Sequence, residues 1–115
     1  PPLSLPDGCP TSVLDYGCGS GHLVASLNAA GVHAVGYDPD THLAAKWESR
    51  GLTSHCVSAL TDDSVVDQYA PYDVVACTRV VCAITSDSEL SDLLAHVRRY
   101  LRPGGRAVFT LCHPL

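Results

Sequence analysis

The chain has 115 residues, a formal net charge of −5 at pH 7 and no run of lysines or arginines, which argues against direct binding to nucleic-acid phosphates. Hydrophobic residues make up 46% of it, which is enough for the core of one globular domain and excludes a disordered chain. No apolar stretch approaches the roughly 18 residues that span a membrane, and the first residues lack the charged and apolar regions of a signal peptide. The absence of methionine suggests a processed or excised segment.

Strand and helix patterns alternate along the chain after an irregular, proline-rich lead-in at residues 1–11. Apolar runs predict five strands, at residues 12–16, 32–37, 53–57, 72–77 and 107–112. Capped or amphipathic segments predict four helices, at residues 21–30, 39–50, 63–68 and from 86 to about 101. The alternation indicates an α/β domain over residues 12–115, with a mainly parallel sheet and right-handed crossovers.

The helix that begins near residue 86 has the clearest boundaries. Ser86 and Glu89 match a capping box, in which each side chain accepts a hydrogen bond from the backbone of the first helical turn. Apolar residues then recur at helical spacing, at Leu90, Leu93, Leu94, Val97 and Leu101. The pattern predicts a helix with one apolar face.

The six cysteines show neither a C-x-x-C pair nor the Cys/His spacing of a zinc finger; they are Cys9, Cys18, Cys56, Cys77, Cys82 and Cys112. Several of them lie in apolar runs, where a free cysteine behaves as a small hydrophobic residue. We therefore predict no metal site, free thiols, and a reducing, cytoplasmic location.

The most informative motif is the segment Asp15-Tyr16-Gly17-Cys18-Gly19-Ser20-Gly21, called here the glycine loop. It follows the first predicted strand and leads into the first helix, so its glycines allow close approach of a ligand to the backbone. Free N–H groups at the start of that helix suit a carboxylate or phosphate. A dinucleotide-binding fingerprint requires G-x-G-x-x-G, whereas His22 stands at the position of the last glycine.

The chain resembles the class I S-adenosylmethionine (SAM) dependent methyltransferases at four landmarks in the expected order. These are the glycine loop, Val35-Gly36-Tyr37-Asp38, Tyr72-Asp73-Val74-Val75 and Leu101-Arg102-Pro103-Gly104-Gly105. The resemblance implies a doubly wound Rossmann-like fold with strand order 3-2-1-4-5. Such enzymes usually have seven strands, so we expect this chain, with five, to lack the last two.

The resemblance also implies roles for two aspartates. Asp38, at the end of the second strand, is expected to accept hydrogen bonds from both ribose hydroxyls of SAM; the alternative is an N-cap for the helix after Pro39. Asp15 is expected near the methionine amine of SAM, and its alternative is a buried carboxylate that braces the glycine loop.

The whole cofactor site implied by the resemblance consists of Asp15, Gly17, Cys18, Gly19, Gly21, His22, Asp38, Pro39, Ser58, Ala59, Cys77 and Thr78. Ser58 and Ala59 follow the third strand, where family members often carry an aspartate that binds the adenine amino group. Cys77 and Thr78 follow the fourth strand and should lie beside the sulfonium.

Two residues are candidates for a role in catalysis. Arg79 would lie near the sulfonium and could hold an acidic substrate, although a solvated or salt-bridged arginine is the simpler interpretation. His113 would lie at the carboxyl end of the fifth strand as a general base, or merely as a terminal histidine. His33, His42, His55 and His96 are interpreted as structural or solvated.

The predicted function is SAM-dependent methyl transfer to a small-molecule acceptor, with S-adenosylhomocysteine as the other product, by this domain alone or as a module of a larger protein. A non-catalytic SAM-binding scaffold and an NAD-binding Rossmann domain are the alternatives. No membrane or nucleic-acid partner is expected. The fifth strand would form an apolar sheet edge, so we expect another segment, another domain or a second copy to cover it.

Overall fold

The computed structural model describes residues 11–78 and 84–110, so the lead-in at 1–10, Arg79 and His113 lie outside the described residues. Its strands are β1 (Ser12–Tyr16), β2 (His33–Tyr37), β3 (Cys56–Val57), β4 (Tyr72–Cys77) and β5 (Leu101–Phe109). Its α-helices are α1 (His22–Ala29), α2 (Ala44–Ser49), α3 (Val65–Gln68) and α4 (Asp87–Tyr100), and a single 3₁₀ turn at Thr41–Leu43 precedes α2. None of the helices in this part of the chain is long and apolar enough to cross a membrane.

The five strands form one sheet in the order β3-β2-β1-β4-β5, and every pair is parallel. This arrangement confirms the predicted α/β, doubly wound topology. Successive residues of β1 point to opposite faces: Val13 joins the core under α1 and α2, whereas Leu14 joins the core under α3 and α4. Both faces of the sheet are therefore covered, as a parallel sheet requires.

The second predicted helix begins later than its sequence suggested. The α-helix starts at Ala44 rather than Pro39. Asp40 caps the intervening 3₁₀ turn, since its Oδ1 accepts a hydrogen bond from the backbone N–H of His42 at 2.9 Å. The prediction was wrong because Asp40, not Asp38, is the capping residue.

The third strand is shorter than predicted and the fifth begins earlier. The Leu52 carbonyl accepts hydrogen bonds from the N–H groups of His55 and Cys56, at 2.9 and 3.0 Å, which closes a turn where residues 53–55 were expected to be extended. In β5, Leu101 already pairs with Tyr72, and an irregularity in register follows before the remaining pairs with β4. The predicted end of β5 at residue 112 lies outside the described residues.

The capping box at the start of α4 is confirmed in its first half. Ser86 Oγ accepts a hydrogen bond from the Glu89 N–H at 3.2 Å, but the Glu89 carboxylate accepts from the N–H of Thr85, one residue before the cap. The predicted apolar face is only partly buried, because Leu90 and Leu94 are 41% and 47% exposed.

Two of the four landmarks meet at the amino end of the sheet. Asp73 Oδ2 accepts hydrogen bonds from the N–H and hydroxyl of Thr11, both at 2.8 Å, and the Asp73 carboxylate also pairs with Arg102. A Cβ on Gly105 would lie 2.9 Å from the Asp73 carbonyl oxygen, so the strands approach closely there. These landmarks therefore stabilise the fold at the end of the sheet opposite the glycine loop.

Candidate functional site

The glycine loop folds over the carboxyl end of β2. The N–H groups of Gly17 and Cys18 both donate to the carbonyl oxygen of Tyr37, at 2.6 and 2.9 Å. Gly17, Gly19 and Gly21 have φ angles of 93°, 53° and 89°, in the left-handed region that side chains disfavour. The alternate glycines are therefore needed for this path of the backbone.

A further glycine on β2 provides room for the loop. A Cβ on Gly36 would lie 2.7 Å from both the Cβ and the Sγ of Cys18, and 3.0 Å from Val24. Such distances are shorter than van der Waals contact. Gly36, part of the second landmark, thus allows the loop to pack directly on the sheet.

Trp47, on α2, supports the loop from the other side. Its indole N–H donates to the Gly19 carbonyl oxygen at 2.8 Å, and its side chain is buried at 4% exposure. This contact was not predicted from the sequence. Trp47, as the only tryptophan in the chain, was nevertheless a recognisable candidate for such a contact, because a buried indole N–H needs an acceptor.

Asp38 links the loop to the residues after β2. Its Oδ2 accepts from the Gly19 N–H at 2.9 Å, and its Oδ1 accepts from the Asp40 N–H at 3.0 Å. The helix-cap interpretation of Asp38 is therefore wrong. A carboxylate has about four lone-pair sites, so each oxygen retains capacity for one more donor.

Asp15 lies beneath the loop at only 2% exposure, in the strand register beside Gly36 and Ala76. Burial and the negative charge of Asp15 together raise the pKa of the Cys77 thiol to about 11. The structure thus places Asp15 as a buried carboxylate below the backbone of the loop.

A cavity of about 460 Å³ opens beside the loop at the carboxyl ends of β1 and β2. Its walls come from the loop and β2 on one side and from α4 on the other, and comprise Tyr16, Gly17, Tyr37, Asp38, Pro39, Ile84, Glu89, Asp92, Leu93 and His96. Of these residues, Gly17, Asp38 and Pro39 were predicted from the sequence. The wall formed by α4 was not predicted, because α4 is far from β2 in the sequence and no sequence pattern relates the two elements.

Aromatic side chains form the floor of this cavity. The rings of Tyr16 and Tyr37 lie 5.0 Å apart, and the Tyr16 hydroxyl is 3.2 Å from Nδ1 of His96. Burial, with the Tyr37, Cys77 and Asp92 charges, raises the pKa of Tyr16 to about 12, so its hydroxyl keeps its proton at neutral pH. His96, interpreted from the sequence as structural or solvated, also lines the cavity.

The remaining predicted cofactor residues are more dispersed. Ser58 and Ala59 line a separate cavity of about 400 Å³ together with Trp47. His22 is exposed and lies 3.1 and 3.0 Å from the two terminal nitrogens of Arg50. Cys77 is fully buried, and the Thr78 carbonyl accepts a hydrogen bond from the Thr110 hydroxyl.

Comparison with known proteins gives a consistent result. Residues 2–113 match a family described as a methyltransferase domain. The chain is 32% identical over 99 residues to the ubiquinone biosynthesis O-methyltransferase of Xylella fastidiosa, covering 82% of this chain and 39% of that protein. It is 34% identical over 110 residues to the ribosomal protein L11 methyltransferase of Methylococcus capsulatus, covering 86% of this chain and 32% of that protein.

A solved structure extends the likeness to three dimensions. The sugar N-methyltransferase KedS8 from a Streptoalloteichus species superposes with a TM-score of 0.70 at 26% identity, over 87% of this chain and 40% of that one. The chain thus spans between about a third and two fifths of the length of these three proteins. The sequence match and the strand order agree, and the chain belongs to the methyltransferase domain family.

Proposed function

We propose that this domain binds SAM at the carboxyl end of its sheet and takes part in the transfer of the SAM methyl group to a small-molecule acceptor. The observation that carries the proposal is the position of Asp38. Its carboxylate bonds to the glycine loop and lines the 460 Å³ cavity, at the point where the family resemblance expects a ribose.

The described residues fit SAM in several respects. The alternate glycines of the loop leave backbone open to a ligand, Asp38 has capacity for the two ribose hydroxyls, and Asp15, expected near the methionine amine, is a buried carboxylate at the start of the loop. When bound, SAM would supply an electrophilic methyl group. Of the expected contacts, Gly17, Asp38 and Pro39 share one cavity, while Ser58 and Ala59 would have to act from the neighbouring one.

The residues of this chain would contribute chiefly by positioning the reactants, which can supply much of the acceleration of a two-reactant step. Tyr16 keeps its proton and lies against His96, so the pair presents polar groups at the aromatic floor of the cavity. Arg79 and His113 stay predictions, since both lie outside the described residues.

The volume of the cavity supports a small acceptor. Ligand sites for small molecules usually enclose about 300–1,000 Å³, and the cavity beside the loop falls in that range. Two of the relatives described above are named for ubiquinone biosynthesis and for a sugar, although the third is named for a ribosomal protein. The net charge of −5 opposes direct contact with nucleic acid.

Calorimetric titration with SAM, S-adenosylhomocysteine and NAD tests the proposal. We expect both sulfur compounds to bind and NAD to bind far more weakly, because the loop lacks the third glycine of the dinucleotide fingerprint. Tighter binding of NAD than of either sulfur compound would contradict the assignment. Asp40→Asn is a suitable control for variants of Asp38. It removes an exposed carboxylate two residues from Asp38, and the described hydrogen bonds of that side chain are to His42.

The sheet edge formed by β5 exposes apolar side chains that a binding partner could cover. Val108 and Phe109 on β5 are 47% and 38% exposed, and Leu94 on α4, which is 47% exposed, lines a cavity together with Phe109. Exposed apolar strand edges promote pairing with other chains. We infer that a further segment, another domain or a second copy covers this edge.

Sedimentation of the 115-residue chain at rising concentration tests that inference. Self-association that Phe109→Lys reduces is the expected result, because the added charge opposes edge pairing. A monomer at every concentration, with slowly exchanging β5 amides, would show that the edge is stable uncovered.

The free thiols of Cys18, Cys56 and Cys77 support a reducing compartment, and we propose the cytoplasm.

A further inference from the structure

Two cysteines from distant parts of the chain meet under the glycine loop. Cys18 lies in the loop and Cys56 on β3, and the two are buried at 5% and 4% exposure in the same core. Both are free thiols. Neither has a role in the proposed binding of SAM that depends on its sulfur.

The register of the sheet explains why the two sulfurs are close. Gly36 on β2 pairs directly with Cys56, so their Cβ positions point to the same face of the sheet on adjacent strands. The Sγ of Cys18 lies only 2.7 Å from the place where a Cβ of Gly36 would be. The Cys18 sulfur thus occupies the space of the missing side chain, next to Cys56.

The two thiols interact chemically as well as sterically. The Cys18 thiol donates a hydrogen bond to the Gly19 carbonyl oxygen at 3.7 Å, within the loop itself. The interaction between the two cysteine side chains lowers the pKa of Cys56 and raises the pKa of Cys18, while burial and the Asp15 charge act against ionisation of both. Two neighbouring thiols, one of which ionises more readily than the other, are the arrangement from which disulfides form.

A small oxidant can reach the more reactive sulfur. Cys56 lines the cavity of about 400 Å³ that also contains Ser58 and Ala59. Cys77, in contrast, is fully buried, and its pKa is raised to about 11. The structure therefore distinguishes Cys56, which lines a cavity, from Cys77, which is fully buried.

We propose that Cys18 and Cys56 are a redox modification site, at which a hydroperoxide converts the two thiols into a reversible disulfide that disables the glycine loop. The Cys56 sulfur attacks the peroxide O–O bond, giving a sulfenic acid and one water. The Cys18 sulfur then displaces the hydroxyl from that sulfenic acid, giving the S–S bond and a second water. Two thiols and one hydrogen peroxide are thus converted into one disulfide and two waters.

The disulfide would alter the loop because a covalent bond draws two sulfurs closer than non-bonded contact allows. Movement of Cys18 toward β3 pulls on the N–H groups of Cys18 and Gly19, which donate to the Tyr37 carbonyl and to Asp38. This consequence rests on the proposed binding of SAM by the same loop. Formation of the disulfide itself does not.

The test treats the 115-residue chain with hydrogen peroxide and cleaves it on the amino side of its aspartates. This cleavage separates Cys18, in peptide 15–37, from Cys9, and separates Cys56, in peptide 40–61, from Cys77. We expect the two peptides to be joined after oxidation and separated again by a thiol reductant. The affinity for SAM, measured by calorimetry, should fall at least tenfold on oxidation and recover on reduction.

Two matched variants sharpen the result. Cys77→Ala should retain both the linkage and its effect on SAM binding, whereas Cys56→Ser should lose both. Peptides that stay separate in the oxidised chain overturn the proposal, and so does a linkage that leaves SAM affinity unchanged. If the reduced chain binds no SAM, the proposed function fails, while the mass of the joined peptides still decides whether the pair is a redox site.

Discussion

Asp73 and Asp38 each hold chain segments together at one end of the same parallel sheet. They differ in how many hydrogen-bond donors and ion-pair partners their carboxylates already have. At the amino end, Asp73 accepts from both backbone and hydroxyl of Thr11, from the Ser12 N–H, and pairs with Arg102. At the carboxyl end, Asp38 accepts two backbone N–H groups from the described residues and lines a cavity. One aspartate is saturated by the fold, and the other retains acceptor capacity for a ligand.

The comparison separates two meanings of a family landmark. Both aspartates belong to recognised motifs, and both follow or begin a buried strand. The chemistry of a carboxylate at a strand end is the same in each case. The proposed binding residue differs from the structural one in the number of hydrogen-bond donors that surrounding residues already supply.

The largest expected effect concerns Asp38. Asp38→Ala should weaken SAM binding by about 3 kcal/mol, or more than a hundredfold, because it removes a charged acceptor for the ribose hydroxyls. Loss of the Gly19 N–H partner should also lower the free energy of unfolding by about 1 kcal/mol. Calorimetry and chemical denaturation measure the two effects separately. Unchanged affinity in the folded variant would reduce Asp38 to a residue that only supports the loop.

Close-packed glycines at the two ends provide a second contrast. Gly36→Ala should lower the free energy of unfolding by about 2 kcal/mol and also weaken SAM binding, since the new methyl group meets Cys18 of the loop. Gly105→Ala meets the Asp73 carbonyl oxygen instead, so it should destabilise the fold without a specific loss of SAM affinity. Equal effects of both substitutions on binding would show that the loop responds only to global stability.

The smallest effect is a pH dependence at the amino end. Hydrogen bonds from the backbone and side chain of Thr11, with the Arg102 charge, hold the pKa of Asp73 below its ordinary value of 3.8. A lowered folded-state pKa stabilises the protein above the unfolded value and is lost as the pH falls through the folded value. The stability gap between wild type and Asp73→Asn should therefore be about 1–2 kcal/mol at pH 7 and shrink below pH 4. A gap that stays constant down to pH 3 in thermal unfolding would contradict the assigned role.

A good part of this architecture could be predicted from local signals. The alternation of apolar runs with capped helices predicted five strands and their parallel direction, and the family resemblance predicted their order. The spacing of Gly17, Gly19 and Gly21 predicted a tight loop, because their positive φ angles are a property of the backbone itself. Ser86 predicted the start of α4, since a cap depends on residues within one turn.

Other features depended on contacts between residues far apart in the chain, and these the sequence did not determine. Asp38 was open to interpretation as a helix cap until the Gly19 N–H was found to bond to it. The α4 wall of the cavity, the Trp47 brace and the meeting of Cys18 with Cys56 each join segments that no periodicity relates. Local backbone preferences act over a few residues and leave a pattern in the sequence, whereas pairing across strands and helices is decided by packing of the whole domain, so only the tertiary structure revealed it.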